Sequence, residues 1–515
     1  MKYSIVIYCI LQWCAIAFCN AQGKTHHFLL GYSLLLGDTN VTSTKARFLI
    51  DSNSITIVPE SRKMPFDGEQ ATMSDENGNL IIATNGCWIA DSTGDLMLNG
   101  DGLNPSNITS QWCDNTSGLP LIHGSCILPM PDSANKYYLF HQTFDTLVNS
   151  TYYVSVFFYY TIMDLTLNNG KGAVIPNEKN KVIITDSLSG GIAACKHANG
   201  RDWWVIVLKD STDIIYNILL TPNGIDTIFS QHLGVPPGYV NIWQPQFSPD
   251  GKKFAYAFTY PIPNPWPWYA DVRLLDFDRC TGMFSNPYVI DNTDTYPGGG
   301  IQFSSNSKYL YCATQQHLHQ IDVATQTKTL VATNDTFYSP YFPFQTDFWA
   351  MYRAANGKIY ISSGSSVIDM HVINEPDSAG LACDVQLHSL HLPCFQFRAN
   401  VYHPNYYLGC DTSLGCPCLS STSLTENGQH DFRFRVYPNP VVNNFVNIGY
   451  ILPQNKSGIL KLYDVNGKQL YTQGLPPWSN EQSIKLPKLT NGIYNLRIES
   501  GGYFMSRNLV VMGEK

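Results

Sequence analysis

The chain has 515 residues and a mass of 57.7 kDa, which predicts two to four domains or one large repeat domain with an appendage. Only 14% of the residues are charged and the net charge is −8, so the basic surface that nucleic-acid binding requires is missing. An aromatic content of 13% excludes disorder over most of the chain and favours strands over helices.

The N-terminus has the pattern of a secretory signal peptide. Lys2 precedes an apolar run over residues 5–18, and the small residue Ala21 offers a cleavage site. We therefore assign residues 1–21 to a signal peptide. Lipid attachment at Cys19 is the weaker interpretation because the bulky Phe18 precedes it. No later apolar run is long enough to span a membrane, so we expect no transmembrane segment after cleavage.

Eleven of the 14 cysteines follow the signal peptide, and an odd number in an exported protein leaves at least one thiol without an intrachain partner. We expect local bridges Cys113–Cys126 and Cys383–Cys394, competition among Cys410, Cys416 and Cys418, and buried free thiols at Cys195 and Cys312. Cysteine pairs at zinc-site spacing are absent from the sequence, so we expect no structural zinc.

One short pattern recurs along the first four fifths of the chain. A polar turn, often Asn-Gly or Asp-Gly, is followed by a run of strand-forming residues, as in QFSPDGKKFAYA. Its anchors are Gly78, Lys136, Gly200, Gly251, Ser307 and Gly357, at intervals of 50 to 64 residues. These intervals predict a β-propeller of about seven blades over residues 22–410.

A small, polar segment over residues 411–431 predicts a linker, and residues 432–515 have their own strand pattern. Asn466-Gly467 predicts a hairpin within a small antiparallel β-sandwich. Residues 432–515 contain 10 Lys and Arg against 4 Asp and Glu, a net charge of +6. The net charge of residues 1–431 is therefore −14, and it becomes −15 once Lys2 leaves with the signal peptide. The fold expected for the whole chain is all-β, a propeller followed by a sandwich.

The last segment resembles the C-terminal sorting domain of the type IX secretion system of Bacteroidetes. The resemblance rests on the opening Tyr437-Pro438-Asn439-Pro440, the hairpin LYDVNGKQL, the run LTNGIYNLRI with Gly492 and Tyr494, and the close SRNLVVM. It implies passage through the periplasm and outer membrane, contact with the type IX machinery, and delivery to the outer cell surface or the medium.

The repeat region is similar to the TolB-like and WD40-like propeller ectodomains that precede such sorting domains. NGNLIIATNGCWIAD, KHANGRDWWVIV and the QFSPDGKKFAY repeats carry this similarity, whereas Cys394 and residues 398–403 depart from the usual short close. The similarity implies the fold and transfers no catalytic residue.

Signatures of serine hydrolases, zinc proteases and nucleotide-binding loops are absent from the sequence. His317 and His319 would share one face of a strand and could bind a metal, although a solvent-facing pair is the simpler interpretation. Asp91, Asp95, Asn99 and Asp101 lie among glycines, so structural Ca²⁺ is the one cofactor the sequence suggests, although blade-edge turns give the same composition. Otherwise we expect no cofactor and no metal.

The most suggestive surface feature is YPIPNPWPWYAD, in which prolines would hold Trp266, Trp268 and Tyr269 for ligand contact. Packing of these rings on a neighbouring blade is the competing interpretation. A second aromatic stretch, FYSPYFPFQTDFW over residues 337–349, is expected on the same propeller face.

The sequence therefore favours a secreted or cell-surface binding or adhesion protein whose ligand is a glycan or a protein. The alternative is an extracellular propeller hydrolase or lyase acting on polysaccharide or peptide, and a third possibility is a structural surface component. Convergent carboxylates or histidines in an axial pocket would favour catalysis, and a neutral or aromatic lining would favour binding.

Overall fold

The computed structural model describes most of the repeat region and, in separate stretches, the C-terminal domain. The described residues are 23–32, 43–50, 54–66, 68–113, 118–143, 145–146, 153–235, 242–261, 268–292, 300–419, 433–437, 439, 441, 445–452, 457–465, 467–476, 481–500 and 503–511. The predicted signal peptide and most of the predicted linker lie outside them.

Seven antiparallel sheets follow one another along the repeat region. The first contains β1 (His27–Leu30), β2 (Lys45–Ile50) and β3 (Ile55–Glu60), and the second contains β4 (Ala71–Ser74), β5 (Leu80–Thr84) and β6 (Ile89–Ala90). A short helix, α1 (Asn107–Trp112), precedes the third sheet. That sheet contains β7 (Ser125–Pro129), β8 (Lys136–Gln142), β9 (Asp145–Thr146), β10 (Tyr153–Asp164), β11 (Ala173–Val174) and β12 (Lys181–Leu188).

The remaining four sheets have four strands each, paired in chain order. They are β13 (Ala193–Lys196), β14 (Trp203–Leu208), β15 (Ile214–Thr221) and β16 (Gly224–His232); β17 (Ile242–Phe247), β18 (Lys253–Pro261), β19 (Trp268–Asp278) and β20 (Met283–Asn292); β21 (Ile301–Phe303), β22 (Tyr309–Ala313), β23 (His317–Asp322) and β24 (Lys328–Thr333); β25 (Met351–Arg353), β26 (Ile359–Ile361), β27 (Val367–Ile373) and β28 (Val385–Gln396). The seven successive antiparallel sheets among the described residues confirm the predicted all-β propeller of about seven blades.

The predicted turn recurs at the same place in the blades, between the first and second strands. Gly78, Gly200, Gly251, Ser307 and Gly357 all have positive φ, between 62° and 83°. Each backbone N–H closes its turn on the carbonyl three residues earlier, at 2.8–3.1 Å. Positive φ is the reason that glycine recurs there, because side chains strain this conformation. Lys136, the sixth anchor, is instead the first residue of β8.

Packing between blades supplies the core. Ala255 and Val272 of the fifth blade pack against Ile301 and Leu310 of the sixth, all of them at most 1% exposed. Fully burying a Val, Ile or Leu side chain contributes about 1.5–3 kcal/mol, so interfaces of this kind hold neighbouring blades together. We call the face with the recurrent turns the turn face, and the opposite face, where β4, β7, β13, β17, β21 and β25 begin, the loop face.

The ring closes between the seventh and first blades. Phe28 and Phe48 of the first blade pack on Tyr352 and Tyr360 of the seventh. The first blade is unusual because β1 runs antiparallel to β4, which its sequence did not predict. The Gln70 side chain bonds the backbone of Leu29, and Thr72 bonds the carbonyl of His27.

The disulfides differ from two of our predictions. Cys87 bridges Cys113, Cys280 bridges Cys416, and Cys410 bridges Cys418. Cys126, Cys383 and Cys394 are buried free thiols, so the predicted bridges Cys113–Cys126 and Cys383–Cys394 are wrong. The prediction failed because we paired cysteines that are close in sequence, whereas Cys113 lies beside the second blade. Cys195 and Cys312 are buried thiols outside these bridges, as predicted.

The C-terminal domain is a two-sheet sandwich. One sheet has the order β29 (Arg433–Tyr437), β30 (Phe445–Ile451) and β33 (Glu481–Lys485). The other has the order β32 (Gln469–Leu475), β31 (Gly458–Tyr463), β34 (Gly492–Ser500) and β35 (Tyr503–Val511). Ile448, Leu462, Leu496 and Leu509 are fully buried in its core. This confirms the predicted small antiparallel sandwich.

Candidate functional site

After β28 the chain enters the centre of the propeller. We call residues 398–408 the axial segment. The Arg398 N–H donates to the Ser363 carbonyl at the loop face, 2.9 Å away, and the Asn405 side chain donates to the Pro249 carbonyl at the turn face, 2.8 Å away. The segment therefore crosses the propeller from the loop face to the turn face, in the direction of the six inner strands that begin at the loop face.

Aromatic side chains of the axial segment fill the axis. Tyr402 accepts a hydrogen bond from the Ala194 N–H at 2.8 Å, and Tyr406 donates to the Ile127 carbonyl at 2.9 Å. These bonds reach the inner strands of the fourth and third blades. Burial raises the pKa of both phenols well above 10, so each stays a neutral hydroxyl that can donate and accept.

His403 occupies the sector of the first blade. Its Nε2 lies 3.0 Å from Thr72 Oγ1 in β4, and its Nδ1 lies 3.1 Å from Tyr352 Oη in β25. Burial lowers its pKa to about 3, so the ring is neutral at physiological pH. The N-terminal sheet and the axial segment thus close the ring together.

A pocket of about 30 Å³ lies beside the axial segment near the turn face. Since one water needs about 10–15 Å³ of such space, the pocket is far smaller than a sugar ring requires. Lys196, Gln246, Gln302 and Arg353 are among its lining residues, and its lining, as far as the structure describes it, includes no Asp or Glu.

The chain leaves the axis at the turn face and is held there by residues 409–419, which we call the exit segment. The Arg279 guanidinium donates to the Gly409 carbonyl at 2.6 Å, and the Leu419 N–H bonds the Asn199 carbonyl at 3.0 Å. The Cys280–Cys416 bridge ties this segment to the fifth blade. Residues 411–419, the first part of the predicted linker, therefore lie against the propeller.

The loop face carries exposed aromatic rings between the sixth and seventh blades. We call residues 337–344 the aromatic loop. Phe337, Tyr338, Tyr341 and Phe342 are 41%, 41%, 45% and 75% exposed. Tyr338 and Phe342 form one pair, with ring centroids 5.6 Å apart. Of the other two exposed rings, Tyr341 packs edge-on against Phe344.

Hydrogen bonds fix the shape of the aromatic loop. The Ser339 N–H donates to the Phe344 carbonyl at 2.6 Å, and the Thr346 N–H donates to the Phe337 carbonyl at 2.8 Å. Pro340 and Pro343 restrict φ within the loop, and Phe344 packs on the fully buried Phe395. The exposed rings are therefore presented by a well-bonded backbone.

Two His–Asp pairs flank the aromatic loop. His388 stacks on Phe337 at 4.2 Å, and its Nε2 lies 2.9 Å from an Asp335 oxygen. His391 Nδ1 lies 2.9 Å from Asp369, whose other oxygen accepts from the Ser339 hydroxyl. Asp369 stands between the serine and the histidine, so His391 is not placed to take the serine proton, as a nucleophilic triad would require. Instead, the contacts anchor the loop to the seventh blade.

Two of the predicted ligand residues begin a strand at the same face. Trp268 and Tyr269 are the first residues of β19, where they pair with Pro261 and Tyr260. Trp266 lies outside the described residues. Because β18 ends and β19 begins at the loop face, this hairpin and the aromatic loop share that face, as the sequence suggested.

The metal candidates are engaged by protein groups. Asp91 accepts from the Thr93 N–H at 2.8 Å, Asp95 pairs with Lys63, and Asp101 with Lys179. Across the part of the chain that the structure describes, no group of three or more His, Cys, Asp or Glu side chains is arranged to hold a metal. Calcium remains an untested prediction.

Several residues of the predicted sorting motif hold the sandwich together. The Asn439 side chain bonds the backbone of Asn508 and Val510 in β35, both at 2.8 Å. The Tyr494 hydroxyl donates to the Thr490 carbonyl at 2.9 Å. Tyr437 ends β29 and Gly492 begins β34, whereas Pro438 and Pro440 lie outside the described residues.

Residues 435–512 match the family model of the secretion system C-terminal sorting domain. This confirms the predicted type IX sorting domain, so the protein is exported to the cell surface or the extracellular space and interacts with the type IX machinery. Among the described residues, no helix is long and apolar enough to cross a membrane.

A search of curated proteins finds no match. Similar solved structures include a candidate 6-phosphogluconolactonase from Bacteroides uniformis, with 13% identity, a TM-score of 0.38 and coverage of 68% of this chain and 92% of the other. The periplasmic gluconolactonase of Pseudomonas aeruginosa has 10% identity and a TM-score of 0.32, and the match covers 72% of this chain and 97% of the other. A family 43 arabinoxylan arabinofuranohydrolase from Bacillus subtilis has 12% identity and a TM-score of 0.29, and the match covers 76% of this chain and 94% of the other. Likenesses this distant say nothing about the activity of this chain.

Proposed function

We propose that this protein is a non-enzymatic binding or adhesion module that engages a glycan or a protein through the loop face of its propeller. The carrying observation is the aromatic loop. Its four rings are 41–75% exposed although they are large and apolar. Clustered exposed apolar groups of this kind mark interaction sites on soluble proteins.

The rigidity of the aromatic loop favours binding. A ligand that stacks on rings already held by backbone bonds avoids much of the entropic cost of ordering them. Aromatic faces also offer both apolar area and, in Tyr338 and Tyr341, hydroxyl groups at the edge. Trp266, Trp268 and Tyr269 would extend the same binding surface from the fifth blade.

The path of the chain supports the same proposal. The exit segment leaves at the turn face, so the sorting domain is tethered at the end of the propeller opposite the aromatic loop. A protein held at the surface through that domain keeps its loop face free for a ligand.

The alternative is an extracellular hydrolase or lyase, which would need an acid and a base around an open site. Glycosidases place two carboxylates about 5–9.5 Å apart around the scissile bond. The axial pocket measures about 30 Å³ and has no carboxylate in its described lining. His403 does line it, but both of its ring nitrogens lie within hydrogen-bond distance of Thr72 and Tyr352. Non-enzymatic binding is therefore the better supported function.

The test is a glycan-array screen of the secreted full-length protein, with bound glycans checked for cleavage and a pull-down from outer-surface proteins run in parallel. We expect binding without cleavage, and about tenfold weaker binding after Tyr341→Ala with Phe342→Ala, equivalent to about 1.4 kcal/mol. Trp266→Ala with Trp268→Ala should act in the same direction. Leu381→Ala is the matched control, because Leu381 is 79% exposed but lies on the turn face. Cleavage of the bound glycan, or equal loss in the control, would contradict the proposal.

A further inference from the structure

From the third blade to the seventh, the connections between blades at the loop face and the recurrent turns at the turn face differ in charge. The connections between consecutive blades from the third to the seventh begin and end at the loop face. They are residues 189–192, 233–241, 293–300 and 334–350, and they contain no Lys or Arg but three Asp. By contrast, the recurrent turns at the opposite face, residues 197–202, 248–252, 304–308 and 354–358, contain four Lys or Arg and two Asp.

The aromatic loop shares this lack of basic groups. Of the charged residues in its connection, Asp335 is paired with His388, and Asp347 accepts from the Gly364 N–H at 2.6 Å. Residues 262–267, between the two strands that carry the predicted tryptophan site, also contain no Lys or Arg. Lys209, between β14 and β15, and Arg398 also lie at this face. Lys209 pairs with Asp186 at 2.8 Å, and the Arg398 guanidinium stacks on the Trp349 and Phe397 rings at 4.8 and 4.7 Å.

Acidic glycans require basic side chains, which the aromatic loop and its connection lack. Carboxylate and sulfate groups are bound by Arg forks or Lys ammonium groups, and like charges placed together cost free energy. Hydroxyl-rich sugars, in contrast, need aromatic faces for stacking and neutral or acidic groups for hydrogen bonds. The loop face offers these through the exposed rings, the tyrosine hydroxyls and the Asp335 carboxylate.

From this asymmetry we infer that the aromatic loop binds a glycan free of carboxylate and sulfate groups, either uncharged or carrying amino groups. The inference rests on the proposed binding function and narrows its ligand class. It also assigns a different role to each face: the loop face binds the ligand, and the turn face, which carries charges of both signs, connects to the sorting domain.

The experiment uses the secreted full-length protein and three probes: mannan as an uncharged glycan, chitosan oligosaccharide as an amino glycan, and polygalacturonate as an acidic one. Binding is measured by affinity electrophoresis at about 20 and 200 mM salt, over which screening of surface charges increases strongly. We expect binding to mannan, to chitosan oligosaccharide or to both, with salt weakening only the chitosan interaction. Polygalacturonate should not be retarded at either salt concentration.

Variants link the ligand to the site. Tyr341→Ala with Phe342→Ala should reduce retardation by the bound probe about tenfold. Asp335→Asn should weaken chitosan binding and flatten its salt dependence, while Asp226→Asn, an exposed aspartate at the turn face, should leave both unchanged.

The outcomes separate the two proposals. Binding of polygalacturonate as tight as that of mannan or chitosan oligosaccharide would overturn the inference on ligand class and leave glycan binding in place. Failure of all three probes, together with a blank glycan array, would overturn glycan binding itself. Binding that the aromatic-loop variants do not alter would overturn the assignment of the site.

Discussion

The buried carboxyl of Glu69 makes stability depend on pH. Glu69 is fully buried at the loop face, and the Ser125 hydroxyl donates to it. Gly86 and Gly124 pack so closely that a Cβ on either would lie 2.6 Å from the carboxyl. Burial raises the pKa of Glu69 from 4.5 to about 8, because the charged form loses its hydration.

The number of protons bound in the folded and unfolded states decides whether stability rises or falls with pH. Between pH 4.5 and 8, folded Glu69 retains a proton that the unfolded chain has released, so the free energy of unfolding falls as the pH rises. The slope is about 1.4 kcal/mol per pH unit, and the loss between pH 5 and pH 8 is about 3.5 kcal/mol. Glu69→Gln should remove this loss, because the amide does not titrate.

The assay is urea unfolding followed by tryptophan fluorescence, at pH 5, 6, 7 and 8, for the parent protein and Glu69→Gln. The amide has to find a new hydrogen-bond partner in a tight site, so the variant is expected to be less stable at pH 5. The difference between the two proteins should shrink or reverse by pH 8. Other titrating groups, including Asp347, whose pKa burial raises to about 6, cancel in this difference. Parallel stability curves over this pH range would refute the argument that Glu69 is buried and protonated.

Two further predictions concern the connection between the propeller and its sorting domain. Cys416→Ser opens the bridge to Cys280, which spans a separation of 136 residues, and should lower the free energy of unfolding by about 2–5 kcal/mol, measured by urea unfolding without reductant. An unchanged midpoint would show that the exit segment contributes nothing to stability. Deletion of residues 437–515 should leave the propeller in the periplasm, measured by cell fractionation, and normal surface delivery of the truncated chain would contradict the assigned sorting role.

The propeller could be predicted because its information is local. Each Asn-Gly or Asp-Gly turn needs positive φ and stands directly before a strand, so one pattern marks both the turn and the blade. The Pro-rich aromatic loops were also visible, since bulky rings between prolines are rarely core strands. Both features depend on residues that are neighbours in the chain.

The closure of the ring could not be predicted, because it depends on contacts between distant parts of the chain. Residues 398–408 have neither strand alternation nor helical period, although their departure from the usual close was noticeable. Tyr402 reaches a backbone 208 residues earlier, and Cys416 pairs across 136 residues. The Ser339–Asp369 contact that anchors the aromatic loop is likewise invisible to a local pattern.

The position of the Cys280–Cys416 bridge fits a protein that is held at one end and binds at the other. If the sorting domain holds the protein at the surface and the loop face binds a ligand, as proposed, tension between them would reach the propeller through the exit segment. Without the bridge, that tension would act on hydrogen bonds such as the one between Arg279 and Gly409, and then on the axial segment. Withdrawal of the axial segment would remove Tyr402 and Tyr406 from the axis. Because the bridge lies outside the axis, it transfers the load to the fifth blade before the closure of the ring is strained.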